Sequence, residues 1–377
     1  MKKVFFIMML LSMLVNGAQA QDEHLKMHFD FSNVDGTSVT DIAGGITAGL
    51  MGSATIEKVG KYNVLNLGNV SGYLNMTSAA GNIIKNLGDF TVSACYYVDE
   101  TASLSGNGFF LWAFSTAAAC TQTEGKYMAY RLNAQRMATS TGGYGSESGI
   151  EAGSASAKGR WMHVLYRQTG QQGELFIEGK RVGLNTSMPV LKEIYTLAPS
   201  YCWIGRAPFS SDNYLRQTQV ADFRVYDIAV SDEKLAELAA VASDIENEYR
   251  YGDPGDFTVL QEKVEECNNF LKGDVSSYAP NAIAELKDAV KIAEKEIDAS
   301  RASQYLIDKY VSTLSQLLSG AKATSGYQPK QVFEVTEDHG FVHPGGIVSQ
   351  QDIDRAKQLL ARFCVNIQIL HMKNRTF

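Results

Sequence analysis

The sequence predicts a mostly β protein with an α-helical continuation: a sandwich of two antiparallel sheets followed by a bundle of three helices. Three observations carry this. Between residues 25 and 230, short runs of β-branched and aromatic residues alternate with polar ones at period two, separated by Gly- and Ser-containing turns. After Gly252-Asp253-Pro254-Gly255 the apolar period changes to a heptad. The chain of 377 residues is 45% hydrophobic, enough for a packed core of that size.

The centre of the β region is the stretch 160–183, RWMHVLYRQTGQQGELFIEGKRVG. Trp161, His163 and Leu165 alternate with Met162, Val164 and Tyr166, which predicts a half-buried strand. The polar turn 169–173 and the apolar Leu175, Phe176 and Ile177 make it a hairpin. Upstream strands are predicted at 25–31, 62–67, 72–76, 90–98, 109–114 and 127–132, with 33–45 and most of 140–159 as loop. In 90–98, Phe90, Val92, Ala94, Tyr96 and Val98 share one face. Downstream strands are predicted at 201–206 and 219–226. Ser231 followed by Asp232 and Glu233 starts a helix that runs to about Tyr249, because acids favour a positive helix end.

Beyond the linker, three apolar stripes appear: Phe257, Leu260, Val264, Cys267 and Leu271; Ile283, Leu286, Val290, Ala293 and Ile297; and Ile307, Val311, Leu314, Leu318 and Ala321. Each helix buries one stripe, which predicts an up-down-up bundle over 256–322, with Pro280 at a helix start. Residues 323–338 are polar and form a second linker.

At the N-terminus, Lys2 and Lys3 precede an apolar run over 4–15 and the tripeptide Ala18-Gln19-Ala20. This predicts a secretory leader over 1–20, too short to span a bilayer, and a product that is secreted, periplasmic or displayed at the cell surface. No second apolar run has the length of a membrane span. The 34 basic and 41 acidic residues give a net charge of −7, and loss of Lys2 and Lys3 makes it more negative, which does not suit nucleic acid. The five cysteines, Cys95, Cys120, Cys202, Cys267 and Cys364, show no C-x-x-C spacing, and their odd count leaves at least one without an intramolecular partner.

Trp161, His163 and Val164 in W-x-H-V, followed by L-F-I-E-G-K at 175–180, resemble the central hairpin of the laminin-G-like, concanavalin A-like jelly roll. YCWIGR at 201–206 resembles that family's I-G-R strand, and VADFRVYDI at 220–228 with Ala229-Val230-Ser231 resembles its closing strand. The resemblance covers roughly 25–240 and implies a concanavalin A-like jelly-roll sandwich, with a domain over 21–250. It further implies one structural calcium ion between the first loop and the last strand, with Asp30, Asp41 and Asp222 as the matching carboxylates. Asp222 is expected to face away from a core entered by its neighbours Ala221 and Phe223. The stretch 256–322 resembles the FIVAR module, a three-helix unit of many extracellular carbohydrate-active proteins. The stretch 339–361, HGFVHPGGIVSQQDIDRAKQLLA, resembles the opening of alginate lyase-like catalytic domains. That resemblance stops near Arg362, so 339–377 reads as the truncated start of a longer enzyme.

Glycan contacts concentrate on loops, which points to Tyr144 and Tyr214, with Trp112 as a third sugar-stacking candidate. Trp161 and Trp203 are expected in the core, and His163 is expected to be packed with its ring nitrogens satisfied. His339 and His343 are expected to be structural. Together these readings predict a secreted, non-catalytic carbohydrate-binding module with a helical spacer, the accessory part of a polysaccharide-degrading enzyme. The alternatives are an alginate-type lyase whose catalytic toroid is missing from this chain, and a surface adhesion protein.

Overall fold

The computed structural model describes residues 23–253 and 255–327. The expected leader 1–20, most of the linker 323–338, and the segment 339–377 with His339, His343 and Cys364 lie outside them.

Seventeen strands follow in chain order. The first seven are β1 (Leu25–Phe29), β2 (Val34–Asp35), β3 (Ser38–Thr40), β4 (Thr47–Met51), β5 (Thr55–Val59), β6 (Tyr62–Asn66) and β7 (Tyr73–Asn75). Next come β8 (Phe90–Val98), β9 (Phe110–Ser115), β10 (Tyr127–Arg131), β11 (Arg136–Ser140) and β12 (Glu147–Glu151). The last five are β13 (Trp161–Thr169), β14 (Gln172–Ile177), β15 (Lys180–Asn185), β16 (Tyr201–Ile204) and β17 (Thr218–Tyr226). Their ladders are antiparallel and build two sheets. Sheet A runs β15-β14-β13-β8-β17-β6-β5 with β1 also on β17, and sheet B runs β12-β11-β10-β9-β16-β7-β4-β3-β2. Two short helices, α1 (Thr77–Ile84) and α2 (Leu191–Ile194), are followed by α3 (Asp232–Tyr251), α4 (Thr258–Lys272), α5 (Pro280–Ala299) and α6 (Gln304–Ala323).

The period-two pattern sets the inter-sheet core. Phe90, Val92, Ala94, Tyr96 and Val98 of β8 point into it, and Met162, Val164 and Tyr166 of β13 join them. The expectation of a half-buried β13 fails on the opposite face. Trp161 and Leu165 are buried there too, because α3 lies across sheet A. Leu235 and Leu238 of α3 cover Leu165, Phe176 and Tyr226, and Ala242, Ile245 and Tyr249 join the apolar cluster of Cys95, Tyr97 and Trp161. Strands β2 and β3 occupy part of 33–45, and β12 part of 140–159, both expected as loop. These strands, at or next to the sheet edges, are short or Gly- and Ser-bearing, so their alternation is too brief to read in the sequence. In β12 only Ile150 is buried.

The α3 start is as expected: Ser231 Oγ accepts the Lys234 N–H at 3.2 Å, ahead of Asp232 and Glu233. Ser303 caps α6 in the same way, and Pro280 opens α5. Most of each heptad stripe is buried: Leu260, Val264 and Cys267; Ile283, Leu286, Val290 and Ala293; Ile307, Leu314, Leu318 and Ala321. The bundle is not a detached spacer. Its core is continuous with the outer face of sheet A through Tyr249, Val59, Val64 and Tyr97.

Polar contacts pin this junction. Lys309 Nζ of α6 meets Asp99 Oδ2 at 2.7 Å and donates to the hydroxyls of Tyr97 and Tyr249, each at 3.2 Å. Tyr305 donates to Glu57 Oε2 at 3.0 Å, and Tyr62 donates to Asp244 of α3. Cys95, Cys120, Cys202 and Cys267 are buried and unbonded to one another. Among the described residues no helix is long and apolar enough to cross a membrane.

Candidate functional site

The residues packed against the long helices come from sheet A, so the outer face of sheet B is the broad face those helices leave uncovered among the described residues. Strand alternation fills that face with aromatic side chains. On β16, Cys202 and Ile204 enter the core, which sends Tyr201 and Trp203 outward. On β7, Leu74 goes in and Tyr73 goes out, and on β10, Met128 and Tyr130 go in and Tyr127 goes out.

Two clusters result. In the first, Arg206 lies over Trp203 at 4.2 Å, Tyr73 at 4.9 Å and Tyr214 at 5.8 Å, measured to the ring centroids. It also donates to the Tyr73 hydroxyl at 3.0 Å. Tyr201 packs on Trp203 at 5.6 Å and Tyr73 on Tyr214 at 6.0 Å. Trp203 is therefore only 3% exposed, as the floor of the cluster, while Tyr73, Tyr201 and Tyr214 are half-buried walls. In the second, Phe209 is the hub, with Phe110 at 5.8 Å, Tyr127 at 5.3 Å and Tyr144 at 6.2 Å. Tyr127 donates to Glu147, which is paired with Arg136. Burial, and then this bond to the carboxylate, push the Tyr127 phenol up. Flat rings beside fixed donors and acceptors match the apolar face and hydroxyl rim of a sugar.

Of the sugar candidates read from the sequence, Tyr144 and Tyr214 lie on this face, in different clusters, and Tyr144 is 53% exposed. Trp112 is a correction. It is 0% exposed in the inter-sheet core, stacked on Tyr130 at 4.8 Å, where no sugar reaches it. A register shift opposite the Tyr130/Arg131 step puts both Leu111 and Trp112 into the core. Tyr73, Tyr201, Arg206 and Phe209 were missed. The signal was the alternation in YCWIGR, which pairs outward rings with inward Cys202 and Ile204.

The residues matched to a calcium ion do not fit one. The Asp41 carboxylate accepts four backbone N–H groups, from His28 at 3.2 Å, Ala43 at 2.9 Å, Gly44 at 2.7 Å and Ile46 at 2.5 Å. Its lone pairs are committed to stabilising a loop. Asp222 Oδ1 faces His28 Nε2 at 2.7 Å and Arg224 at 2.7 Å, so donors and a cation stand where a metal would need oxygens. Asp30 accepts from Ser32 N–H and Oγ, at 3.0 Å and 2.8 Å. Among the described residues no group of three or more His, Cys, Asp or Glu is arranged to hold a metal ion. Asp222 itself is 7% exposed, at a bulge with φ of +52°, and the bulge sends Ala221 to the outer cluster and Phe223 to the core. Both neighbours were expected in the core.

His163 is packed as expected, but only half satisfied. Its Nε2 is 2.9 Å from Ser93 Oγ, while Nδ1 has no partner among the described residues. Burial lowers its pKa to about 4, against a smaller upward pull from Asp222. This sealed Ser–His pair has no access to a substrate.

Residues 68–236 match the family model of the concanavalin A-like lectin/glucanases superfamily. No curated protein sequence matches the chain. Among solved structures, domain 4 of AbnA, a GH43 extracellular arabinanase from Geobacillus stearothermophilus in complex with arabinotriose, is similar. It has 13% identity and a TM-score of 0.44, over 57% of this chain and 98% of that one. The botulinum neurotoxin serotype D/C binding domain aligns at 14% identity and TM-score 0.45, over 61% of this chain and 56% of its own. The Trypanosoma rangeli sialidase in complex with 2,3-difluorosialic acid aligns at 15% and 0.41, over 63% of this chain and 40% of its own. The match thus spans about half of the toxin domain and less of the sialidase. With the two-sheet topology, the matched motifs identify residues 68–236 as a concanavalin A-like jelly-roll domain.

Proposed function

We propose that this chain is a secreted, non-catalytic carbohydrate-binding module that takes a glycan on the outer face of sheet B. The observation that carries the reading is the pair of aromatic clusters on the one broad face the long helices leave open. The carboxylate of the second cluster, Glu147, is engaged with Tyr127 and Arg136, which favours binding over proton transfer. The resemblance of 256–322 to FIVAR modules and of 339–361 to alginate lyase-like openings supports an accessory role beside a polysaccharide-degrading domain. The leader-like residues 1–20 support export.

Glycan-array screening followed by calorimetry tests this. Tyr201→Ala and Tyr214→Ala should each weaken the best glycan roughly fivefold, about 1 kcal/mol for a lost ring contact, with the melting temperature nearly unchanged. Retained affinity in both variants would move the site off the first cluster, and retained affinity in Phe209→Ala as well would move it off this face.

A further inference from the structure

The cation in the first cluster is held by aromatic rings rather than by a carboxylate. Arg167, Arg224 and Arg250 are partly buried and each is paired with a carboxylate: Glu174, Asp222 and Glu246. Arg206 is also partly buried, yet no carboxylate lies within ion-pair distance of it among the described residues. This is in a chain with 41 acidic residues against 34 basic ones. What holds Arg206 instead is ring surface, Trp203 beneath it and Tyr73 and Tyr214 beside it, with one N–H spent on the Tyr73 hydroxyl. A guanidinium carries five N–H donors in a rigid planar fork, and stacking fixes its plane without consuming the others.

We propose that Arg206 makes this face selective for acidic polysaccharides, its guanidinium receiving the carboxylate of a uronic acid unit while Tyr73, Tyr201 and Tyr214 hold the adjoining rings. This rests on the reading of the face as a glycan site. The fork geometry matches the two oxygens of a planar carboxylate, and the pairing is charge-assisted. A neutral polymer meets the same rings but leaves the cation unpaired. The net negative charge of the chain repels polyanions in general, so a ring-held arginine without a carboxylate partner is a local exception to that repulsion.

The test titrates the full mature chain, by calorimetry, with a uronate oligosaccharide, with the same oligosaccharide after carboxyl reduction to its neutral form, and with a sulfated neutral one. The uronate form should bind about tenfold or more tighter than its reduced form, and the gap should shrink as salt is raised. Arg206→Gln should bring the ratio of the two affinities to about one. Arg206→Lys, which keeps charge but not the stacked fork, should restore only part of it. Equal affinity for the charged and reduced forms, a ratio unchanged by Arg206→Gln, or a preference for the sulfated polymer would overturn the carboxylate assignment while leaving the glycan-site reading standing. Tight binding of neutral polymers that Tyr201→Ala abolishes would mark that outcome. Failure to bind any of the three polymers would overturn both. Melting temperatures of the two Arg206 variants separate lost recognition from lost folding.

Discussion

His163 lies on the outer face of sheet A with Trp161 and Leu165, and desolvation holds its imidazole neutral down to about pH 4. The unfolded chain takes up that proton near pH 6.5. Between those two values the unfolded state binds more protons than the folded state, so stability falls as pH falls through the window. From pH 7 to pH 5 this one group should remove about 2 kcal/mol. His163→Gln keeps a partner for the Ser93 hydroxyl and does not titrate. Urea midpoints at the two pH values should show a markedly smaller loss in the variant than in the parent. An equal loss would place the pH sensitivity elsewhere.

In the loop between β3 and β4 a single carboxylate accepts three backbone N–H groups of the loop and one of β1. Asp41→Ala leaves four N–H groups without their acceptor, two of them, of His28 and Ile46, buried, and should cost about 2 kcal/mol. Calcium added to chelator-treated protein should leave the melting temperature of the parent unchanged, because the Asp41 carboxylate is occupied by four N–H groups and Asp222 Oδ1 by His28 and Arg224. A rise of several degrees would show that the carboxylates can be re-aimed. Much of the element plan was legible beforehand. The heptad stripes marked the buried residues of α4 to α6, because a helix facing one core repeats a fixed period. The two-sided burial of β13 was not legible, because the layer covering Trp161 comes from α3, about 80 residues further on. Trp112 and Asp222 were misplaced for a related reason. A bulge shifts the inward–outward alternation by one residue, and a linear pattern carries no mark of it. The aromatic face was half legible: its loop rings Tyr144 and Tyr214 stood out, while Tyr73 and Tyr201 looked like ordinary strand residues.

At the scale of the whole molecule, sandwich and bundle share one apolar cluster, and Lys309 ties them through Asp99, Tyr97 and Tyr249. All three tryptophans belong to the sandwich, two of them (Trp112 and Trp203) away from the long helices, so indole fluorescence reports mainly the sandwich, while far-ultraviolet ellipticity follows the helices. The two signals should unfold together in the parent. Lys309→Ala removes the cation beside Asp99, which keeps Thr101, and two hydroxyl contacts, and should cost about 1–2 kcal/mol, with the two transitions drawing apart. Coincident transitions in the variant would assign the coupling to the apolar contacts instead.

The open face and the helices lie on opposite sides of a sandwich whose sheets are about 10 Å apart. A particle with one adhesive side and a rigid back has a defined posture on whatever it lands on. Lying ring-side down on a polymer fibre, it would stand its helices up toward solvent, at one angle and in every copy. If that face binds as proposed, the junction at Lys309 would convert a binding event into an aiming event, fixing the direction of α6 with respect to the fibre.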